Sequence, residues 1–372
     1  MPDNKNGSTD ARRRFLKRTA LAMIGGSVTA EFAVEGTVQA RAQARRECLD
    51  AQAPMGQVEG KVAFITGGSS GIGMGVTRAF VDAGMKVILG YRTRKHLDEV
   101  MKYLEDAVDR VHAIEVDVTD RAGMEKASAE AAHVFGKIHV LVNNAGVVVF
   151  APLSKTTYDD WDWVVSVNLT GVFNGIHTFL PRIQAHGEGG QIITTSSDAG
   201  LFAVSGLGGY SASKFGVVGM METLRAELAD TNIGVSVCCP GGVDTRITES
   251  SRNRPETLPD TGFKPDPKAV VVIQEYQESI RRGEGRGMNP LEAGQLVLRG
   301  MRNNDLYILT HPEDEQMMRD RNEVLIASIP RDLHAAEARM AAARANTKNS
   351  IYAAELSRKH CGGRGLSATK NE

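Results

Sequence analysis

The most constraining feature of this chain is the run Thr66-Gly67-Gly68-Ser69-Ser70-Gly71-Ile72-Gly73, set between the apolar residues 62–65 and a helical pattern over 71–83. Glycine permits a tight turn and a close approach of backbone to ligand. A helix that begins there offers unpaired N–H groups and the positive end of its dipole, a seat for a phosphate. The spacing G-x-x-x-G-x-G resembles many Gly/Ser turns, and its place between a strand and a helix is what gives it meaning. The alternation then continues. Apolar runs at 86–89, 111–116, 138–142, 191–196, 233–239 and 306–309 alternate with helical patterns at 93–107, 121–135, 158–186 and 210–230. Continuous apolar runs are expected of strands buried on both faces. Strands joined through helices make right-handed crossovers. The chain is therefore predicted to be α/β, with a doubly wound parallel sheet and a ligand at the carboxyl ends of its strands. One domain is expected over 56–330. The C-terminal extension, 331–372, reads as a single Ala- and charge-rich surface helix followed by a disordered stretch near Gly362-Gly363-Arg364.

Charge and cysteine usage exclude several other classes. With 44 Lys+Arg against 45 Asp+Glu, the 372-residue chain carries a net charge of −1, which is not that of a nucleic-acid-binding polycation. Its cysteines (Cys48, Cys238, Cys239 and Cys361) match neither a disulfide framework nor a zinc-ligand spacing, and no metal is expected. No apolar run reaches the about 18 residues of a spanning helix. Residues 1–55 read as an export leader and linker. The basic cluster Arg12-Arg13-Arg14-Phe15-Leu16-Lys17-Arg18 precedes a weakly apolar run over 19–30 and small residues ending in Val38-Gln39-Ala40. That is the order of a bacterial signal with an A-x-A-like cleavage site. The hexad R-R-x-F-L-K resembles the twin-arginine signals, which are addresses read by a receptor and not anchors. A periplasmic or exported location is expected, with a basic tail on a cytoplasmic protein as the alternative.

Tyr210 and Lys214 stand four residues apart, so both project from one helix face. A free phenol, with a pKa of about 10, is a poor base at neutral pH. A nearby ammonium favours the phenolate, and the expectation is that Lys214 acidifies Tyr210. Tyr210 would then act as general acid toward a ketone or general base toward an alcohol.

Further motifs stand in order around this pair: Asn143-Asn144-Ala145-Gly146 after the fourth strand, Asn168 within the long helix, Ser196-Ser197 at the end of the fifth strand, and Pro240-Gly241-Gly242-Val243 with Thr245 after the sixth. With T-G-x-x-x-G-I-G at 66–73 and Tyr210-Ser211-Ala212-Ser213-Lys214, they resemble the short-chain dehydrogenase/reductase family, closely over 56–248. The resemblance implies a Rossmann-type fold, NAD(P)-dependent oxidoreductase activity, and a catalytic tetrad of Asn168, Ser197, Tyr210 and Lys214. The family's serine lies 13 residues before its tyrosine, which selects Ser197 over Ser196. That hydroxyl would bond the oxygen on which charge changes during hydride transfer. Lys214 would also hold the nicotinamide ribose. Asn168 would support a water-linked proton relay, a structural role inside its helix being the alternative. The resemblance further assigns cofactor binding to Gly67, Ser69, Ser70, Gly71, Ile72, Gly73, Arg92, Asp117, Val118, Asn144, Ala145, Gly146, Tyr210, Lys214, Pro240, Gly241, Val243 and Thr245. Asp117 either contacts adenine or caps a helix, and Asn143 is expected to stabilise the sheet. Members pair through the helices carrying Asn168 and Tyr210, so a homodimer or homotetramer is expected.

The choice of dinucleotide turns on the end of the second strand. A carboxylate there would bond the 2′-hydroxyl of NAD and repel a 2′-phosphate. The segment Leu89-Gly90-Tyr91-Arg92-Thr93-Arg94-Lys95 has no carboxylate and three bases, and the fork of Arg92 suits a phosphate. NADP is expected, with NAD the alternative. Residues 247–267, polar and rich in proline, match the flap that closes over substrate in the family. The runs Thr156-Thr157-Tyr158-Asp159-Asp160-Trp161-Asp162-Trp163 and Asp305-Leu306-Tyr307-Ile308-Leu309-Thr310-His311-Pro312 resemble bacterial members that oxidise bulky aryl alcohols. A small-molecule secondary alcohol or ketone, bulky or aromatic, is therefore the expected substrate, and Tyr307 and His311 are expected to pack and cap. The competing class is a non-catalytic NADP-binding regulatory protein on the same fold, which would be expected to carry a damaged tetrad.

Overall fold

The computed structural model describes residues 53–258, 287–333, 336–347 and 351–361. The leader, the distal part of the 247–267 flap and the Gly362-Gly363-Arg364 stretch lie outside the described residues.

Seven strands form one parallel sheet: β1 (Val62–Thr66), β2 (Lys86–Tyr91), β3 (Val111–Glu115), β4 (Val140–Asn143), β5 (Gly190–Thr195), β6 (Ile233–Cys239) and β7 (Tyr307–Leu309). Their order is β3-β2-β1-β4-β5-β6-β7. Ile65 of β1 stands in register with Leu89 of β2 and Val142 of β4. The winding reverses between β1 and β4, and a crevice opens over their carboxyl ends. Every residue of β1, β4, β5 and β6 is buried, which explains their unbroken apolar sequences.

Two apolar layers cover the sheet, and the strand period of two divides the side chains between them. Ala63 and Ile65 pack with Val76 and Phe80 of helix α1 (Gly71–Asp82), Val100 of α2 (Arg94–Tyr103) and Val297 of α7 (Pro290–Arg302). Val62 and Phe64 face the other way, toward Met124 of α3 (Arg121–Phe135), Phe179 of α5 (Gly171–His186) and Val217 of α6 (Gly208–Glu227). No helix among the described residues is long and apolar enough to cross a membrane.

Four differences from the sequence reading have physical causes. The helix expected over 158–186 is α4 (Tyr158–Val165), a π-helical turn over Ser166–Thr170, and then α5. One residue too many for the α period is held in that turn, with the Gly171 N–H reaching back to the Ser166 carbonyl. The folded body starts before the expected linker ends, because Met55 is fully buried. The described flap is a 3-10 segment, Ile247–Asn253, and not bare loop. The tail is two helices, α9 (Glu337–Thr347) and α10 (Ile351–Cys361), which follow α8 (Glu315–Ala327). α10 is docked and not merely on the surface: buried Glu355 accepts from Arg225 at 2.9 Å and from the Leu306 N–H at 3.3 Å.

Candidate active site

The loop after β1 turns on glycines at positive φ, Gly67 (64°) and Gly71 (54°), a region L side chains rarely occupy. Ser70 caps α1 in extended conformation, but its side chain makes no capping bond, so the first N–H groups of α1 keep their donors for another acceptor. Asn144 braces the loop from β4, donating to the carbonyls of Thr66 and Gly67 at 3.3 Å each. Its own N–H reaches Thr66 Oγ1 at 2.9 Å. Gly73 does not line the cleft as a binding residue would. A Cβ there would stand 2.1 Å from the Gly67 carbonyl oxygen, so Gly73 lets the helix pack against the loop.

Across the crevice, β5 ends in Ser196-Ser197-Asp198, and α6 presents Tyr210 and Lys214. The Ser196 hydroxyl donates to the Lys214 carbonyl at 2.9 Å, which fixes the start of α6 against β5. The Lys214 ammonium donates to the Thr195 carbonyl at 2.9 Å and lies 5.5 Å from the centroid of the Tyr210 ring. The Ser197 hydroxyl donates to Asp198 Oδ1 at 2.6 Å. Withdrawal from water pushes the Tyr210 phenol up to about 12; its hydrogen bond with Ser197 eases the rise and the Asp198 carboxylate adds to it. Burial likewise pushes Lys214 down to about 8. The expected acidification of Tyr210 by Lys214 is thus not supplied by these protein groups, because the ammonium is turned to Thr195 and sits over the ring.

Asn168 is fully buried in the π turn and does not line the cleft. Its Oδ1 accepts from the Val147 N–H at 2.9 Å, while Nδ2 donates to the Val147 carbonyl at 2.9 Å and to Ser213 Oγ at 3.2 Å. All three bonds hold the β4 loop and α6 in place. A Cβ on Gly146 would stand 3.4 Å from Asn168 Oδ1 and 3.7 Å from Lys214 Nζ, so this glycine keeps the space between them open. Asn143 is buried under the sheet end and donates to Thr194 Oγ1 at 3.4 Å, the structural role expected of it.

One continuous cleft, with a cavity volume of about 420 Å³, runs from the Gly67–Gly71 turn to Ser197, Tyr210 and Lys214. The sequence model of the short chain dehydrogenase family matches residues 61–256. The chain belongs to the short-chain dehydrogenase/reductase family. It is 35% identical over 276 residues to the C alpha-dehydrogenase of Sphingobium sp. strain SYK-6, covering 74% of this chain and 88% of that one. The 3-oxoacyl-[acyl-carrier-protein] reductase of Thermotoga maritima is 37% identical over 226 residues, covering 58% and 90%. The crystal structure of a Burkholderia phymatum short-chain dehydrogenase/reductase in complex with NAD superposes with a TM-score of 0.68 at 32% identity, over 75% of this chain and 99% of that one. The chain is thereby an NAD(P)-dependent oxidoreductase.

Ser69, Ser70, Ile72, Asp117, Val118, Ala145, Gly146, Pro240, Gly241, Val243 and Thr245 all line the cleft as expected. Asp117 caps no helix. Its Oδ1 accepts from the Thr119 N–H and hydroxyl at 2.9 and 2.7 Å, and its Oδ2 lies 3.3 Å from Arg92 Nε. His311 precedes the turn at Pro312–Asp314 but makes no side-chain capping bond there; its Nδ1 accepts from the Gly241 N–H at 3.0 Å, holding the loop after β6. Tyr307 packs through a 2.6 Å bond to Glu222. Asp198, at the start of a segment expected to line the pocket, does so. Thr195, His96, Arg246 and Arg252 also line the cleft, and the sequence gives no sign of them because they belong to no motif.

Away from the cleft, His139, His186 and Glu188 come together with donor atoms within 4.8 Å of one another. Their nitrogens are already committed. His139 Nδ1 accepts from the Val62 N–H and Nε2 faces Glu188; His186 Nδ1 accepts from the Glu188 N–H and Nε2 faces the Ile138 carbonyl. The cluster locks the bottom of the sheet.

Proposed function

We propose that this chain interconverts a secondary alcohol and a ketone with NADP as its preferred dinucleotide. The observation that carries the reading is the meeting of the Tyr210 and Ser197 hydroxyls and the Lys214 ammonium on one wall of a cleft whose far end is the glycine turn. The N–H groups opening α1 would receive the pyrophosphate, and the Arg92 guanidinium the 2′-phosphate. When bound, the dinucleotide supplies the hydride site and, in its oxidised form, a positive ring that favours the phenolate. Tyr210 Oη gives a proton to the substrate oxygen in reduction and takes it back in oxidation. The Ser197 hydroxyl bonds the same oxygen as its charge changes. Lys214 Nζ holds the ribose hydroxyls, with Asn168 and Gly146 keeping its surroundings open.

Val148, Phe150 and Leu207 give the substrate side an apolar wall. This wall supports a bulky or aromatic substrate. The leader points to export, which the mass of the mature N-terminus would check. The deciding experiment screens alcohols and ketones by absorbance of the reduced nicotinamide, wild type against Tyr210→Phe. Loss of about 10²- to 10⁴-fold in kcat/KM is expected, and equal rates would refute the reading. Arg92→Ala is expected to narrow an NADPH-over-NADH preference; an unchanged preference removes the NADP part.

A further inference from the structure

The segment following β6 crosses back over the cleft to the β2–α2 side. Arg92 Nη1 donates to the Asn253 carbonyl at 2.9 Å, and the Thr93 hydroxyl to Asn253 Oδ1 at 3.4 Å. Arg246 Nη2 pairs with Glu99 of α2 at 2.9 Å. Two further basic groups are thereby carried to the place where Arg92 stands. Arg246 and Arg252 line the same cavity as Arg92, Thr93 and His96, the first two from one wall and the rest from the other.

The charges there do not balance. Arg92 has Asp117 and Arg246 has Glu99. Arg252 has no carboxylate within ion-pair distance among the described residues. Its Nη1 donates to the carbonyls of Arg246 at 2.5 Å and Glu249 at 2.8 Å. His96 is buried at 7% exposure, lines the cavity, and has no hydrogen bond from its ring to a described residue. Burial, then Arg246 and Arg252, hold His96 below its ordinary value, and burial and Arg246 do the same to Arg252. Like charges gathered on two walls of one cavity are stabilised by a dianion placed between them.

We propose that Arg246 and Arg252 form the second wall of a phosphate site whose first wall is Arg92 and His96, so that the adenosine 2′-phosphate of NADP ties the 246–253 segment down over the bound cofactor. The inference rests on the NADP reading and adds to it that preference for the phosphate is set from both sides of the cleft. The chemistry recognised is a phosphomonoester on the adenosine ribose, whatever lies beyond the 5′ side.

The test compares binding of 2′,5′-ADP and 5′-AMP to the full chain by calorimetry. Wild type is expected to favour 2′,5′-ADP. Arg252→Gln, which leaves the Arg246–Glu99 pair intact, is expected to lose about 10- to 100-fold for 2′,5′-ADP, with the loss confined to that ligand. Wild type with 2′,5′-ADP, but not with 5′-AMP, is expected to resist tryptic cleavage after Arg246 and Arg252. If wild type discriminates and Arg92→Ala abolishes discrimination, yet Arg252→Gln and the cleavage pattern change nothing, the second wall is wrong and the NADP reading stands. If wild type does not discriminate at all, both fall.

Discussion

The Ser197 hydroxyl donates to Oδ1 of Asp198 at 2.6 Å, and the same carboxylate helps raise the Tyr210 phenol. The serine proton is thus directed at an anion, leaving the oxygen to accept from Tyr210. Replacing Asp198 by Asn keeps the shape and an acceptor but removes the charge. With the charge gone the phenolate is opposed less, so Tyr210 titrates at lower pH. The rising limb of alcohol oxidation in a pH–rate profile is expected to move toward acid in Asp198→Asn. An unmoved limb would mean that the carboxylate does not act on the phenol.

Lys214 is pushed down to about 8 by burial, close enough to neutrality to show in kinetics. If the ammonium is the active form, kcat/KM for ketone reduction falls as pH rises through about 8. Arginine stays charged throughout that range. Lys214→Arg is therefore expected to be slower but to lack this limb, while Lys214→Met is slow at every pH. Persistence of the limb in Lys214→Arg would assign it to another group.

The sheet was legible in the sequence because burial on both faces leaves unbroken apolar runs, and β1 to β6 came within about two residues of their expected ends. The cleft was legible wherever a residue belongs to a turn or to a fixed helical spacing, as with Gly67, Gly71, Tyr210 and Lys214. Asn168 shows the limit. Its position was expected, but its partners Val147 and Ser213 are 21 and 45 residues away and leave no local pattern. The docking of α10 through Glu355 to Arg225, 130 residues apart, leaves no local pattern at all. The arginines of the flap belong to no motif, and they meet the end of β2 only because the chain crosses back over the cleft.

Helices α1 and α7 meet through glycine. A Cβ on Gly75 would stand 1.8 Å from the Pro290 carbonyl oxygen, and one on Gly294 would stand 2.2 Å from the Gly75 carbonyl oxygen. Backbone packed on backbone has no flexible atom that can yield. Gly75→Ala is expected to destabilise by about 1–3 kcal/mol or more, and to weaken dinucleotide binding because α1 carries the phosphate seat. Gly219 of α6 has nothing within 4 Å of an added Cβ, so Gly219→Ala is expected to stabilise by about 0.5–1 kcal/mol through helix propensity. Denaturant midpoints of the two variants should move in opposite directions. A neutral Gly75→Ala would show that the helices do not meet this closely.

The described end of the flap is held to α4 by an ion pair withdrawn from solvent. Arg254 Nη1 lies 2.6 Å from Asp160 Oδ1, with side-chain exposures of 7% and 2%. The guanidinium also stands 5.0 Å from the Trp163 ring and donates through Nε to the Leu258 carbonyl. Burial works against the Asp160 carboxylate, but bonds from Arg254 and Thr157 outweigh it and hold the group below its ordinary value. A carboxyl depressed by folding contributes stability that is present above its unfolded pKa of about 3.9 and is lost as pH falls through the lower folded value. Arg254→Met keeps the packing on Trp163 and removes the cation. It is expected to destabilise at neutral pH by up to about 3–5 kcal/mol, and to lose less further stability on acidification than wild type does. Denaturation curves at neutral pH and near pH 3 measure both effects. Equal acid sensitivity in the two proteins would show that Arg254 does not set the protonation of Asp160, and that the flap is fixed to α4 by packing alone.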